Sequence, residues 1–153
     1  MKVAGTLHRL LYRWSGGRIG GMFRGGPILL LTTRGRKTAQ QRRWPLCYLV
    51  TGDELVLVAS AGGAPRHPAW YLNLRANPRV SIQLEDRTRT MVARTAEGTE
   101  RARLWERAVR RYPVCAGYQR KSGREIPVVI LRPATPAEGT AKRRVARLAE
   151  WVA

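Results

Sequence analysis

Apolar residues recur along the chain with two periods, and the alternation between them lays out the elements. Val3, Leu7, Leu10, Leu11 and Trp14 stand three or four residues apart with His8, Arg9 and Arg13 between them. That spacing predicts a basic amphipathic helix over 2–14, which Gly16, Gly17, Gly20 and Gly21 then end. Pro27 opens an apolar, β-branched stretch over 28–33 that reads as a buried strand, closed by an Arg34-Gly35 turn. Strands over 42–50 and 55–60 flank Gly52-Asp53. In the latter Leu55, Leu57 and Ala59 alternate with Val56 and Val58, so the two form an antiparallel hairpin.

The stretch Ala61-Gly62-Gly63-Ala64-Pro65 is too small and flexible for helix or strand and reads as a tight loop. A short helix over 68–75 follows, with Pro68 near its first turn, where a missing N–H costs nothing. Asn77-Pro78 ends it, and Val80, Ile82 and Leu84 alternate with Ser81 and Gln83 in a strand with one buried face. Its partner runs over 88–94 across Asp86-Arg87. Ala102, Trp105, Ala108, Val109 and Tyr112 predict a helix over 98–112, and 127–131 is a last apolar strand before Pro133. Beyond Pro136 the tail is a second basic amphipathic helix or a frayed end.

Strands that come in hairpins, with helices set between pairs, argue against a doubly wound parallel sheet and for a small antiparallel barrel or half-barrel. The expected class is α+β, mainly β. The expected organisation is a basic helix and glycine-rich linker over 1–24, a barrel over 25–134 and a basic tail over 135–153.

Composition narrows the function. The chain has 153 residues, enough for one core, and 29 Lys and Arg against 10 Asp and Glu, for a formal charge of +19. That excess points to an anionic partner, with a phosphorylated cofactor, nucleic acid and an anionic membrane surface all compatible. Cys47 and Cys115 stand in no CxxC or zinc-like spacing and read as reduced thiols, and with only two histidines no metal site is expected. No apolar run reaches the ~20 residues of a membrane span, so a cytoplasmic location is expected, with the basic ends open to a peripheral seat on the inner face of the membrane.

Three stretches concentrate candidate chemistry. Thr32 to Arg43 crowds hydroxyls and cations into one turn: Arg36 and Arg42 can hold phosphate or carboxylate bidentately, Lys37 adds a compact charge and Thr38 a hydroxyl. The plain alternative is a solvated hairpin tip. Ala59-Ser60-Ala61-Gly62-Gly63 lacks bulk and lets a flat or phosphorylated ligand approach the backbone; it is neither a P-loop nor a GxGxxG fingerprint. In the third, 66–74, Trp70 is core or ring wall, and His67 is a cap or surface residue rather than a base. No GxSxG elbow supports hydrolytic chemistry, so a cofactor carrying its own reactivity fits better.

These residues, taken in order, resemble the deazaflavin (F420)-dependent nitroreductase family. The resemblance is carried by Pro27-Ile28-Leu29-Leu30-Leu31-Thr32-Thr33, Gly35-Arg36-Lys37-Thr38, Pro45-Leu46, Ala59-Ser60-Ala61-Gly62-Gly63, the run Pro68-Ala69-Trp70-Tyr71-Leu72-Asn73-Leu74, Tyr112-Pro113 and Ile126-Pro127-Val128-Val129. It implies a split β-barrel related to flavin-binding pyridoxamine-phosphate-oxidase-like proteins, with coenzyme F420 in place of FMN. Positions matching Arg36, Lys37, Thr38 and Arg42 would hold its anionic tail. Those matching Pro45, Leu46, Ser60, Ala61, Gly62 and Gly63 would lie along the ring, and Trp70, Tyr71 and Asn73 would support that pocket. The implied reaction is hydride transfer from the deazaflavin to a conjugated electron-poor acceptor such as a quinone or nitro compound, with Tyr112 or Tyr118 as proton donor or orienter. This sequence departs from the family pattern at Ala39, Gln41, Ala61, Cys47 and Cys115. A non-catalytic deazaflavin carrier, a protein preferring FMN and a nonspecific nucleic-acid-binding module remain as rivals, and a homodimer is compatible with each.

Overall fold

Hairpins dominate the architecture, as the alternating stretches require. The computed structural model describes residues 26–135; the predicted helix over 2–14 and the basic tail beyond Pro136 lie outside the described residues. Seven strands form one sheet: β1 (Ile28–Arg34), β2 (Gln41–Cys47), β3 (Leu49–Thr51), β4 (Glu54–Val58), β5 (Arg79–Leu84), β6 (Arg87–Thr95) and β7 (Val128–Pro133). Helix α1 (Ala69–Ala76) lies between β4 and β5, and α2 (Gly98–Arg111) and α3 (Val114–Ser122) between β6 and β7. Among the described residues no helix is long and apolar enough to cross a membrane.

The strand order is β2-β1-β5-β6-β7-β4-β3, and every pairing is antiparallel. The stretch expected as one strand over 42–50 is in fact two, separated at Tyr48. Its first part pairs with β1, Leu29 opposite Leu46 and Leu31 opposite Trp44, at one edge of the sheet. Its second part pairs with β4, Leu49 opposite Val56, at the other edge. One bend therefore joins both edges and curls the sheet into a split barrel. Pro45, which cannot donate to a ladder, is tolerated because β2 is an edge strand.

Inward residues of every strand meet in one cluster: Leu29 and Leu31, Trp44 and Leu46, Val50, Leu55 and Leu57, Val80 and Ile82, Met91 and Ala93, Val129 and Leu131. Trp70, Tyr71 and Leu74 of α1 join this interior, with the Tyr71 hydroxyl 3.0 Å from Thr95 Oγ1. Outside the barrel, α2 lays Leu104 and Trp105 on Val56, Val128 and Ile130, forming a second apolar layer. Strand β7 is thus buried on both faces, as its unbroken apolar run anticipates.

The segment 61–63 is the tight turn expected, a single 3₁₀-type turn in which Ala61, Gly62 and Gly63 all take positive φ. Helix α3 was not anticipated, since Cys115, Gly117 and Ser122 are weak helix formers. Its brackets were nonetheless present, with Pro113 just before it and Gly123 in the left-handed conformation just after.

Burial on both faces of β7 gives a test. Ile130→Ala and Leu131→Ala should each lower the unfolding free energy by about 2–5 kcal/mol in denaturant titration. Ser81→Ala, on the outward face of β5, should stay within about 0.5 kcal/mol. A small effect at either β7 position would contradict the two-layer arrangement.

Candidate functional site

The basic turn between β1 and β2 is built by hydrogen bonds that leave its cations exposed. Gly35 N–H donates to the Gln40 carbonyl at 2.7 Å, Ala39 N–H to the Gly35 carbonyl at 2.8 Å, and Gln40 N–H to Thr38 Oγ1 at 3.3 Å. Ala39 takes φ 58, a left-handed conformation that favours glycine, so the turn keeps its shape at a strain of about 1–2 kcal/mol. Arg36, Lys37, Thr38 and Arg42 are all exposed around it.

Asn73 of α1 fixes this turn to the barrel. Only 3% exposed, its Oδ1 accepts from Arg36 N–H at 3.2 Å and from Arg36 Nη1 at 3.1 Å, and its Nδ2 donates to Thr33 Oγ1 at 3.2 Å. Trp44 Nε1 donates to the same Thr33 oxygen at 3.2 Å. One buried amide, with donor and acceptor both used, thus orients a surface arginine.

The second stretch follows β4. Ser60 is right-handed helical and Ala61 has φ 48; a right-handed residue followed by a left-handed one turns successive N–H groups to one side. Gly63, at φ 82, sits so close to α3 that a Cβ would lie 3.1 Å from Tyr118 Cα and 3.2 Å from its carbonyl oxygen, so a side chain there would be both strained and crowded. Arg124, just beyond α3, donates to the carbonyls of Ala59, Ser60 and Ala64 and approaches His67 Nδ1 at 2.9 Å.

Beside the second stretch opens a largely apolar cleft of about 590 Å³, counting space open to solvent. Leu46, Cys47 and Tyr48 line it at the barrel's bend, Val56 and Val58 on β4, Ser60 beside the 3₁₀ turn, and Tyr112, Val114, Cys115 and Tyr118 on the α2–α3 side. The Tyr112 hydroxyl donates to the Tyr48 carbonyl at 3.1 Å, and the Arg111 guanidinium lies 4.8 Å from the Tyr112 ring centroid. Burial, reinforced by the Cys47 thiol, pushes the Tyr112 phenol up to about 12. Burial also pushes Cys115 up to about 11 and raises Cys47 and Tyr48. Cys47, Tyr48, Tyr112 and Cys115 therefore stay uncharged at neutral pH.

Four residues named from sequence, Leu46, Ser60, Tyr112 and Tyr118, line the cleft. Ala61, Gly62 and Gly63 form the adjoining turn, and Pro45 lies one residue along β2. Arg36, Lys37, Thr38 and Arg42 gather at the other end of β2, about 17 Å away at ~3.4 Å per residue. Trp70 and Tyr71 are core residues rather than cleft walls, and Asn73 acts on the basic turn. Sequence reasoning missed Arg124; in a chain with 29 cations only the bracketing of α3 marked its place. Cys47 and Cys115, marked by the resemblance as departures at pocket positions of the family, both line the cleft.

With this geometry in view, the sequence matches the family model for F420H(2)-dependent quinone reductase over residues 6–133. An F420H(2)-dependent quinone reductase of Mycobacterium tuberculosis is 42% identical over 132 residues, covering 82% of this chain and 87% of that one. The solved structure of an F420-H2 dependent reductase, FDR-A, superposes with a TM-score of 0.64 at 45% identity, covering 69% of this chain and 94% of its own. A candidate pyridoxamine 5′-phosphate oxidase of Listeria innocua, at 16% identity and TM-score 0.51 over 77% of this chain and 92% of its own, shares the fold alone.

The Asn73 network makes a separable prediction. Asn73→Leu keeps the volume but removes both ends of the amide. It should cost about 1–3 kcal/mol in thermal or denaturant unfolding and release Arg36, seen as faster amide exchange over 35–40. An unchanged exchange rate would show that the turn stands without α1.

Proposed function

Because the chain belongs to the F420H(2)-dependent quinone reductase family, we propose that its cleft and basic turn together hold reduced coenzyme F420 and pass its hydride to a quinone. The observation that carries this reading is the division of β2, with an exposed cationic turn at one end and an uncharged apolar cleft at the other. A cofactor with an anionic tail and a flat ring demands that pairing. Nitro compounds form a second acceptor class for the same cleft, to be tested beside quinones.

The residues fit the group without a metal or a nucleophile. Arg36, Lys37 and Arg42, with the Thr38 hydroxyl, hold the phosphate and carboxylates of the tail. Pro45 and Leu46 would flank the ring, and Ser60, Ala61, Gly62 and Gly63 would offer it backbone rather than side chains. When bound, the reduced deazaflavin supplies the hydride. Apolar walls at Leu49, Val56 and Val58 exclude water, and Tyr118 lines the acceptor side. Tyr112 orients rather than donates: its proton is committed to the Tyr48 carbonyl, and its high pKa makes it a weak acid. Trp70, Tyr71 and Asn73 brace these parts from within.

Two measurements test the proposal. The double variant Arg36→Ala/Lys37→Ala should raise the Kd for oxidised F420, read by its fluorescence, by about tenfold or more, with a shallower salt dependence. Absence of binding by the unaltered protein at low salt would overturn the cofactor claim; binding without oxidation of F420H2 by any quinone would favour a carrier. Tyr112→Phe should lower kcat while leaving the pH profile unchanged across the neutral range, since the phenol does not ionise there. A profile that loses a limb would instead make Tyr112 the proton donor.

A further inference from the structure

Arg124 concentrates its hydrogen bonds on one segment of backbone. Its Nη2 donates to the carbonyls of Ala59 at 3.2 Å and Ser60 at 3.0 Å, its Nε to the Ala64 carbonyl at 3.1 Å, and its Nη1 to His67 Nδ1 at 2.9 Å. A trans peptide points its C=O and its N–H in opposite directions. Pinning the Ala59 and Ser60 carbonyls on Arg124 therefore turns the N–H groups of Ser60 and Ala61 away from it. The turn's own bonds use the N–H groups of Gly63 and Ala64, donated to Ser60 and Ala61. Ser60 and Ala61 N–H find no acceptor among the described residues, and Ser60 lines the cleft.

We propose that Arg124 is a positioning residue for the ring end of the cofactor, aiming the Ser60 and Ala61 N–H groups at an electron-rich edge of the bound ring. The inference rests on the deazaflavin reading above. A cation on the carbonyl side also polarises both peptides and strengthens their N–H groups as donors. The guanidinium fork suits this task as an ammonium does not, because its donors diverge in one plane onto separate acceptors.

His67 completes the arrangement. Arginine has only donors, so His67 Nδ1 must accept and the ring must be neutral, with its proton on Nε2. The groups that face His67 are Arg124, Arg75 of α1 and the edge-on Tyr71 ring with its centroid at 5.0 Å. Burial first, then Arg124 and Arg75, hold its basicity below the ordinary 6.5. Its support for Arg124 is thus complete above that ordinary value and is lost as pH falls through the lowered one, when cation would meet cation.

The test measures F420 affinity by fluorescence, across pH, for the full chain and three variants, beside thermal unfolding. Arg124→Ala should raise Kd about tenfold or more, with partial recovery on adding guanidinium at low concentration. Arg124→Lys should restore charge without restoring affinity. The unaltered protein should bind more weakly on the acid side, and His67→Asn, which keeps a neutral acceptor, should remove that weakening. Should Arg124→Ala fail to fold, Arg124→Lys and His67→Asn decide. A merely structural arginine would lower the unfolding temperature and leave Kd and its pH profile in place, which would overturn the proposal. Failure of the unaltered protein to bind F420 at any pH would overturn the cofactor reading itself.

Discussion

Everything in the fold depends on the bend at Tyr48. A seven-stranded antiparallel sheet has two edges, and each would expose a row of unpaired backbone groups. Here a single stretch, from Gln41 to Thr51, serves β1 at one edge and β4 at the other. Because the two edges are consecutive in sequence, the sheet must curl, and the inward residues of all seven strands are forced into one core. The bend cannot itself be laddered, so its backbone is open to other partners. One is the Tyr112 hydroxyl, which donates to the Tyr48 carbonyl. The cleft forms where the barrel's closure leaves backbone unpaired.

That placement explains the division of labour along β2. Its start belongs to a hairpin tip, where cations are solvated and free to meet an anion; its end lies beneath α3, where burial keeps thiols and phenols neutral. The separation is useful chemically. On the proposed reading, the exposed cations of the turn would bind the cofactor's tail at a distance from the reacting ring. Asn73 ties the basic turn to α1, and Arg124 ties the stretch from Ala59 to Ala64 to the turn after α3.

Legibility followed the physical origin of each signal. Strand β5 was readable because it has one buried face, which prints a period of two on the sequence, and β1 because an unbroken apolar run opens it. The bend at Tyr48 was not, since apolar residues continue across it and only the pairing partners change. Helix α3 carries weak formers and was legible solely through Pro113 and Gly123. Among the site residues, Arg36, Lys37 and Thr38 announced themselves by crowding, and Ser60 to Gly63 by lack of bulk. Arg124 is the opposite case: its importance lies in which carbonyls it reaches, 60 or more residues away for Ala64, Ser60 and Ala59, and no local pattern encodes that.

The two cysteines show how a substitution can preserve a site while altering its wall. Cys47 stands where β2 ends and Cys115 in the first turn of α3, so both face the cleft from elements that the barrel's closure fixes. As thiols they are small and, with their pKa values raised by desolvation, remain protonated at neutral pH. A protonated thiol is a poor nucleophile, so an electron-poor ring can rest against both without being attacked. The same burial that makes Tyr112 a weak acid thus makes its neighbours unreactive, so on the proposed reading the cleft would leave the chemistry to the cofactor and confine its own residues to shape and orientation.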